Sequence, residues 1–326
     1  MARDVEHMAR RLRRYLPGGE AITAVVPLST GHSNETYLLD GLDRILRLPP
    51  SEEGLLPPYD MARQHAVLSA VGGWAAGPPV PRVFDLCTDP SVIGDPFFVM
   101  ERLPGEAFEY EVPGWLATAD AAVRDRVCAQ WIGAVTAVHR GPAERMPAPA
   151  MTVRDEAEHW REVAREAEGP RLLLELLDDL GARPPLPSGP PTPVHGDPKH
   201  GNCLWDHGRL TALLDWEMAH VGEPLTDLGY VASFYDQGEL SLATAGFELP
   251  GWWPRERLIE EWERATGRAA RELVRYEVLG MCKIAAIIAL GYQLFRTGRA
   301  TDKRFEVWGT VVPPYVAAAA RRAERS

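Results

Sequence analysis

Cysteine is scarce in this chain and follows no pairing pattern. Cys87, Cys128, Cys203 and Cys282 are scattered through 326 residues without a C-x-x-C spacing, which argues against a zinc site or a disulfide framework and fits four buried thiols in a reducing compartment. Long apolar runs are missing as well: residues 284–292 form an apolar stretch too short to span a bilayer. Near the N-terminus Arg10, Arg11, Arg13 and Arg14 stand where a secretory signal would be apolar, so a cytoplasmic location is expected. Positive charge is in deficit, with 35 basic against 46 acidic side chains and a net charge of -11. Such a field repels a long phosphate backbone or an anionic bilayer, so neither nucleic acid nor a membrane is expected as a partner.

What remains is a globular composition, 45% hydrophobic and 25% charged, long enough for two packed lobes. Val5, Met8, Leu12 and Leu16 recur at helical spacing until Pro17-Gly18-Gly19 stops them. Short β-rich runs follow at 21–28, 35–40 and 44–48, then a helical stretch at 61–71 and strand candidates at 82–85 and 96–102. Beyond Gly105 helices dominate. Residues 118–139 place Val123, Val127, Trp131, Val135 and Val138 on one face, and 152–180 opens on a Thr152 to Asp155 capping box and breaks near Gly169-Pro170. A proline-rich connector at 182–193 leads to Val194. Helices are expected again at 224–235, 254–266, 269–295 and 303–320, the last interrupted at Pro313-Pro314. The order is α+β, with a five-stranded antiparallel sheet and its helix first and a mainly helical half after it.

Chemistry concentrates in Val194-His195-Gly196-Asp197-Pro198-Lys199-His200-Gly201-Asn202, followed by Leu213-Leu214-Asp215-Trp216-Glu217. A lone His-Gly-Asp would be a polar turn between strands. Here Asp197 and Asn202 stand in D-x-K-x-x-N spacing, and a second aspartate follows at the end of a short strand, one hairpin later. Phosphoryl transfer needs these parts: a carboxylate to orient a hydroxyl and take its proton, and oxygen donors for a cation that neutralises phosphate charge. Asp197 is the expected base. Asn202 and Asp215 are the expected ligands of Mg2+, which prefers hard oxygen donors. Lys199 sets a point charge for the transferring phosphate, and His195 braces the loop. His200 and His207 have neither HExxH spacing nor a paired cysteine, so a histidine metal site is not expected.

These motifs, with Ser29-Thr30-Gly31-His32-Ser33-Asn34, Ile45-Leu46-Arg47, Pro96-Phe97-Phe98-Val99-Met100-Glu101-Arg102 and Gly222-Glu223-Pro224-Leu225-Thr226-Asp227, resemble the aminoglycoside-phosphotransferase and choline-kinase group over about residues 28–235. That resemblance implies a two-lobed protein-kinase-like fold, with a nucleotide-binding lobe over 1–102 and a helical lobe carrying the catalytic loop and substrate pocket over 103–326. It also implies ATP or GTP with Mg2+, a hydroxylated small-molecule acceptor such as an aminoglycoside-like antibiotic or a metabolite, and a monomer or homodimer. By the same resemblance Ser33 and Asn34 belong to a turn over the nucleotide phosphates and Arg47 holds the α- and β-phosphates. Met100, Glu101 and Leu103 form the hinge against adenine, and Asp227 ties down the catalytic loop.

One departure stands out. Gln64 occupies the position where the group usually carries a glutamate to pair the third-strand basic residue, with Asp60 as the substitute acid nearby. A rival expectation is therefore a kinase-like nucleotide-binding or regulatory protein with impaired turnover. A protein-substrate kinase fits less well, because no H-R-D, D-F-G or A-P-E spelling occurs. Acceptor contacts are sought among Trp216, Glu217, Glu223 and Tyr235.

Overall fold

Alternating apolar and polar residues between turn-forming glycines build the first half of the chain. The computed structural model describes residues 3–28, 33–109, 111–235 and 246–325. Helix α1 (Val5–Tyr15) starts at Asp4, whose carboxylate accepts the His7 backbone N–H at 2.9 Å. Strands β1 (Ala24–Leu28), β2 (Glu35–Asp40) and β3 (Arg44–Leu48) form a meander. Helix α2 (Met61–Gly72), β4 (Val83–Cys87) and β5 (Phe97–Glu101) complete one antiparallel sheet in the order β1-β2-β3-β5-β4.

The two-residue period divides this sheet between two cores. Leu46, Leu48, Phe97 and Val99 pack with Met8 and Leu12 of α1. Ile45, Phe98 and Met100 face the other way, onto Val67, Leu68 and Val71 of α2, in a core that continues into the helical half. Arg47 shares the Ile45 side, and Gln64 lies in the buried stripe of α2, so the two meet.

The helical half comprises α3 (Gly114–Ala117), α4 (Ala121–His139), α5 (Val153–Glu166) and α6 (Arg171–Ala182). Then come the short strands β6 (Thr192–Val194), β7 (Cys203–Asp206), β8 (Arg209–Leu213) and β9 (His220–Gly222). It closes with α7 (Leu225–Ala232), α8 (Arg255–Thr266), α9 (Leu273–Arg296) and α10 (Arg304–Ala323). β7 and β8 form a hairpin, and β6 pairs antiparallel with β9. The expected capping box opens α5, with Thr152 and Asp155 bonding reciprocally.

The α+β order expected from the sequence is observed, with two corrections. Helix α10 runs unbroken through Pro313 and Pro314. An interior proline costs about 3 kcal/mol, but Val312, Tyr315, Val316 and Ala319 are buried along a helix that packs against α9. Packing outweighs the missing amide donors. The apolar stretch at 284–292 is only part of α9, which by length and composition is apolar enough to cross a bilayer, yet 72% of its most apolar window is buried within the protein. It is the central helix of the second core. It crosses α7 closely: a Cβ on Gly280 would lie 2.8 Å from the Tyr230 Cα, so the approach needs glycine there.

Candidate active site

The segment between β6 and β9 folds back on itself and gathers the polar residues singled out above. Leu214 is the pin: its N–H donates to the Asn202 carbonyl at 2.7 Å, and its carbonyl accepts the His195 Nε2 proton at 2.9 Å. These two bonds bring the turn after β6 beside Asp215. The His195 Nδ1 accepts the Asp197 N–H at 3.2 Å, so the ring is a neutral tautomer protonated on Nε2. Burial pushes this imidazole below its usual value, consistent with a bracing role. Gly196 has a φ of +91°, and a Cβ there would lie 2.6 Å from the Met218 carbonyl oxygen, so only glycine permits the turn.

Helix α7 fastens the turn from beneath. The Asp227 carboxylate accepts the N–H groups of His195 and Gly196, each at 2.8 Å, and the His139 Nε2 proton at 3.0 Å. The other His139 nitrogen accepts from the Trp262 indole at 2.8 Å, which fixes the tautomer. Burial raises the Asp227 carboxyl, but His139, His195 and the amide donors outweigh it and leave it at about 2. One turn along the same helix, Tyr230 donates its hydroxyl to Asp197 Oδ1 at 2.5 Å.

Asp197 is held from two sides, since Asn202 Nδ2 donates to its Oδ2 at 2.8 Å. Burial disfavours its charge, but the ammonium groups of Lys199 and Lys283 and the Tyr230 hydroxyl prevail and hold the carboxyl below its ordinary value. The group is therefore an ionised carboxylate at neutral pH. Lys199 Nζ lies 2.5 Å from Glu109 Oε1 and 3.8 Å from Asp197 Oδ2. Lys283 of α9 donates to the Gly196 carbonyl.

Asp215 begins the next turn with a φ of +68°, an unusual conformation for aspartate, and lines two cavities at once. One, of about 360 Å³, is bounded by Ile45, Arg47, Met100, Leu103, Leu204 and Trp216. It also takes in Glu101. The other, of about 180 Å³, contains Asp197, Lys199, Asn202, Glu217 and Tyr230. Arg47 spans toward the boundary, ion-paired with Asp215 and donating to Gln64 Oε1 at 3.3 Å. Asp60 does not pair with Arg47; it caps α2 by accepting the Arg63 N–H at 2.9 Å.

Ser33 lines the smaller cavity, and Asn34 is buried beside it. Ser33 Oγ donates to Glu217 at 2.7 Å, and Asn34 Nδ2 at 2.5 Å. Residues Ser29 to His32 of the expected phosphate turn lie outside the described residues. Burial, and then the neighbouring Asp215 carboxylate, push the Glu217 carboxyl up to about 8. Of the four acceptor-contact candidates, only Glu217 lines the cavity with Asp197. Trp216 is buried against His195 with ring centroids 4.6 Å apart, Glu223 accepts from Ser188, and Tyr235 donates to the Trp253 carbonyl.

For a divalent cation the donor chemistry fits. Asn202 spends its amide nitrogen on Asp197, which leaves the carbonyl oxygen, and Asp215 offers a carboxylate at the same cavity. Among the described residues no cluster of three or more His, Cys, Asp or Glu side chains forms a closed cage. Two oxygen donors suit Mg2+, which completes its shell with water and phosphate oxygens.

Tyr230, Glu109 and Lys283 were not anticipated. Tyr230 carried a readable signal, standing three residues after Asp227 and so on the same helix face. Lys283, a lone charge in an apolar run, carried another. Tyr230→Phe is expected to lower kcat about 10-fold by removing one charged hydrogen bond, as steady-state kinetics will show.

A five-stranded sheet over a helical body, with the His-Gly-Asp turn and Asp215 at their junction, defines the kinase-like class. The chain belongs to the phosphotransferase enzyme family, whose model matches residues 24–278. It is similar to a Ralstonia eutropha protein that carries a provisional aminoglycoside phosphotransferase name, at 22% identity over 98% of each chain with a TM-score of 0.77. It is also similar in fold to APH(2")-IIIa solved with GDP and kanamycin, at 15% identity over 98% of each chain and a TM-score of 0.61. Mouse acyl-CoA dehydrogenase family member 10 is 29% identical over 244 residues, which is 69% of this chain but 22% of that protein. The chain thus spans less than a third of that relative's length.

Proposed function

We propose that the protein transfers the γ-phosphoryl group of ATP, or of GTP, to a hydroxyl of a small molecule, with Asp197 as the base. The carrying observation is the position of Asp215 between two cavities, one lined by Arg47 and the 100–103 segment and the other by Asp197 and Lys199. The larger has apolar walls from Ile45, Met100 and Leu204, as a purine requires, with residues 100–103 along its edge. Arg47 then lies where α- and β-phosphates would emerge.

Asp197 orients the acceptor hydroxyl and receives its proton, kept ionised by Lys199 and Lys283. Lys199 sets positive charge beside the transferring group. Asn202 and Asp215 would hold Mg2+, which when bound would neutralise phosphate charge. Family membership and the GDP bound by a structural neighbour support nucleotide use. Arg47→Leu is expected to raise the ATP KM about 10- to 100-fold, the loss of a charged hydrogen bond to phosphate, with a smaller change in kcat.

A chain with impaired turnover has one observation in its favour, the neutral Gln64 of α2 where the family usually carries an acid to pair Arg47. ADP release from MgATP across a panel of hydroxylated small molecules separates the readings. Magnesium- and acceptor-dependent release is expected; stabilisation by nucleotide with no release from any acceptor would overturn the enzyme reading.

A further inference from the structure

The smaller cavity has a wall that phosphoryl transfer does not use. Ile284, Ile287 and Ile288 stand at i, i+3 and i+4 on α9, hence on one helix face, and all three line the cavity that holds Asp197. Phe234 at the end of α7, Trp308 of α10 and Leu55 from the β3–α2 connection continue this surface. Leu55 is itself packed among Leu294, Ala300 and Phe305, and its segment is tied down by the Arg299 ion pair with Glu53 and by Thr301 donating to Glu52 at 2.8 Å. The sheet half thus supplies the last panel of an apolar enclosure.

The acids in the same cavity already have internal donors. Glu109 accepts from Lys199, Asp197 from Tyr230 and Asn202, Asp215 from Arg47, and Glu217 from Ser33 and Asn34. A polyamine sugar entering here would trade water for isoleucine and tryptophan, with Glu109 and Glu217 already satisfied by Lys199, Ser33 and Asn34. An aliphatic body gains from the same surface. The space, about 180 Å³, is below the roughly 300–1,000 Å³ of sites that enclose a drug-sized ligand, so it admits a reacting end together with a short hydrocarbon segment.

Resting on the phosphotransfer reading above, we propose that the acceptor is a hydroxylated aliphatic compound whose hydrocarbon body packs on the Ile284, Ile287 and Ile288 face while its hydroxyl meets Asp197. The hydroxyl oxygen forms the new bond to the γ-phosphorus, and the bond from that phosphorus to the β-bridging oxygen breaks, its electron pair leaving on ADP. The hydroxyl proton passes to the Asp197 carboxylate.

The test measures kcat/KM of the full chain with MgATP for a homologous series of unbranched aliphatic alcohols and diols, with kanamycin and choline as cationic comparators. The expected result is a rise of about fourfold per added methylene until the enclosure is filled, with the best aliphatic acceptor preferred over both cations. Ile288→Asp should lower kcat/KM for that acceptor about 10- to 100-fold without moving the ATP KM. Ile287→Gln, at a half-buried position, should act in the same direction if Ile288→Asp does not fold. A flat series, preferred turnover of kanamycin or choline, or variants without effect on the aliphatic acceptors overturns the proposal. Release of ADP with none of these acceptors, from a chain that MgATP still stabilises, also overturns it, whereas absence of stabilisation by MgATP sinks the phosphotransfer reading itself.

Discussion

Asp197→Asn is expected to lower kcat by about 100- to 10,000-fold, the usual contribution of a positioned general base, while the fold and the ATP KM survive. The amide is nearly the same size, so the pocket formed by Tyr230 and Asn202 still closes around it. What is lost is the negative charge and the lone pair that receives the hydroxyl proton. One of the two donors that now approach, Tyr230 O–H at 2.5 Å or Asn202 N–H at 2.8 Å, will face the new amide nitrogen and shift. The larger cavity, proposed above to take the nucleotide, lies on the far side of Asp215, which is why the ATP KM should be spared. A kcat within about threefold of the parent would remove Asp197 as the base.

Asp227→Ala should lower stability by about 3–5 kcal/mol, because it breaks a buried charged network and strands its partners. The His195 and Gly196 amides and the His139 ring lose their acceptor together, and the Trp262 indole is bonded to that same ring. The catalytic turn loosens as well, so kcat falls with the melting temperature. The pH dependence has a definite sign. The Asp227 carboxyl is depressed in the folded chain, so its contribution is complete above the ordinary carboxylate value of about 4 and is lost as pH falls through about 2. Chemical denaturation between those limits should show stability decreasing with acid, less steeply in Asp227→Asn. An unchanged slope would mean that the network contributes nothing to acid sensitivity.

Much of the fold could be read locally, because its signals are local. Strand periodicity places β2 and β3 at the residues expected, and the Thr152 capping box places the start of α5. The failure at Pro313-Pro314 was a conflict between a backbone rule and packing against α9, and packing cannot be seen in α10 alone. The candidate site divides the same way. Asp197, Lys199, Asn202 and Asp215 come from one hairpin-linked segment, so their convergence on one cavity follows from short-range geometry. Tyr230 and Glu109 reach it from α7 and the connection before α3, and Lys283 of α9 holds the Gly196 carbonyl of the turn, all from elements far apart in sequence. Nor could the motif show that Glu217 would be gripped by Ser33 and Asn34, about 180 residues away. The same is true of the isoleucine face: its spacing declares a helix stripe, but only the tertiary arrangement turns it toward Asp197.

Phosphorus NMR of a reaction containing the full chain, MgATP and a hydroxylated acceptor tests the central claim most directly. The account requires a new phosphomonoester signal on the acceptor growing in step with ADP, and its near-absence when Asp197→Asn is used at the same concentration. Inorganic phosphate as the sole product regardless of acceptor, or equal phosphomonoester yield from both proteins, would contradict it.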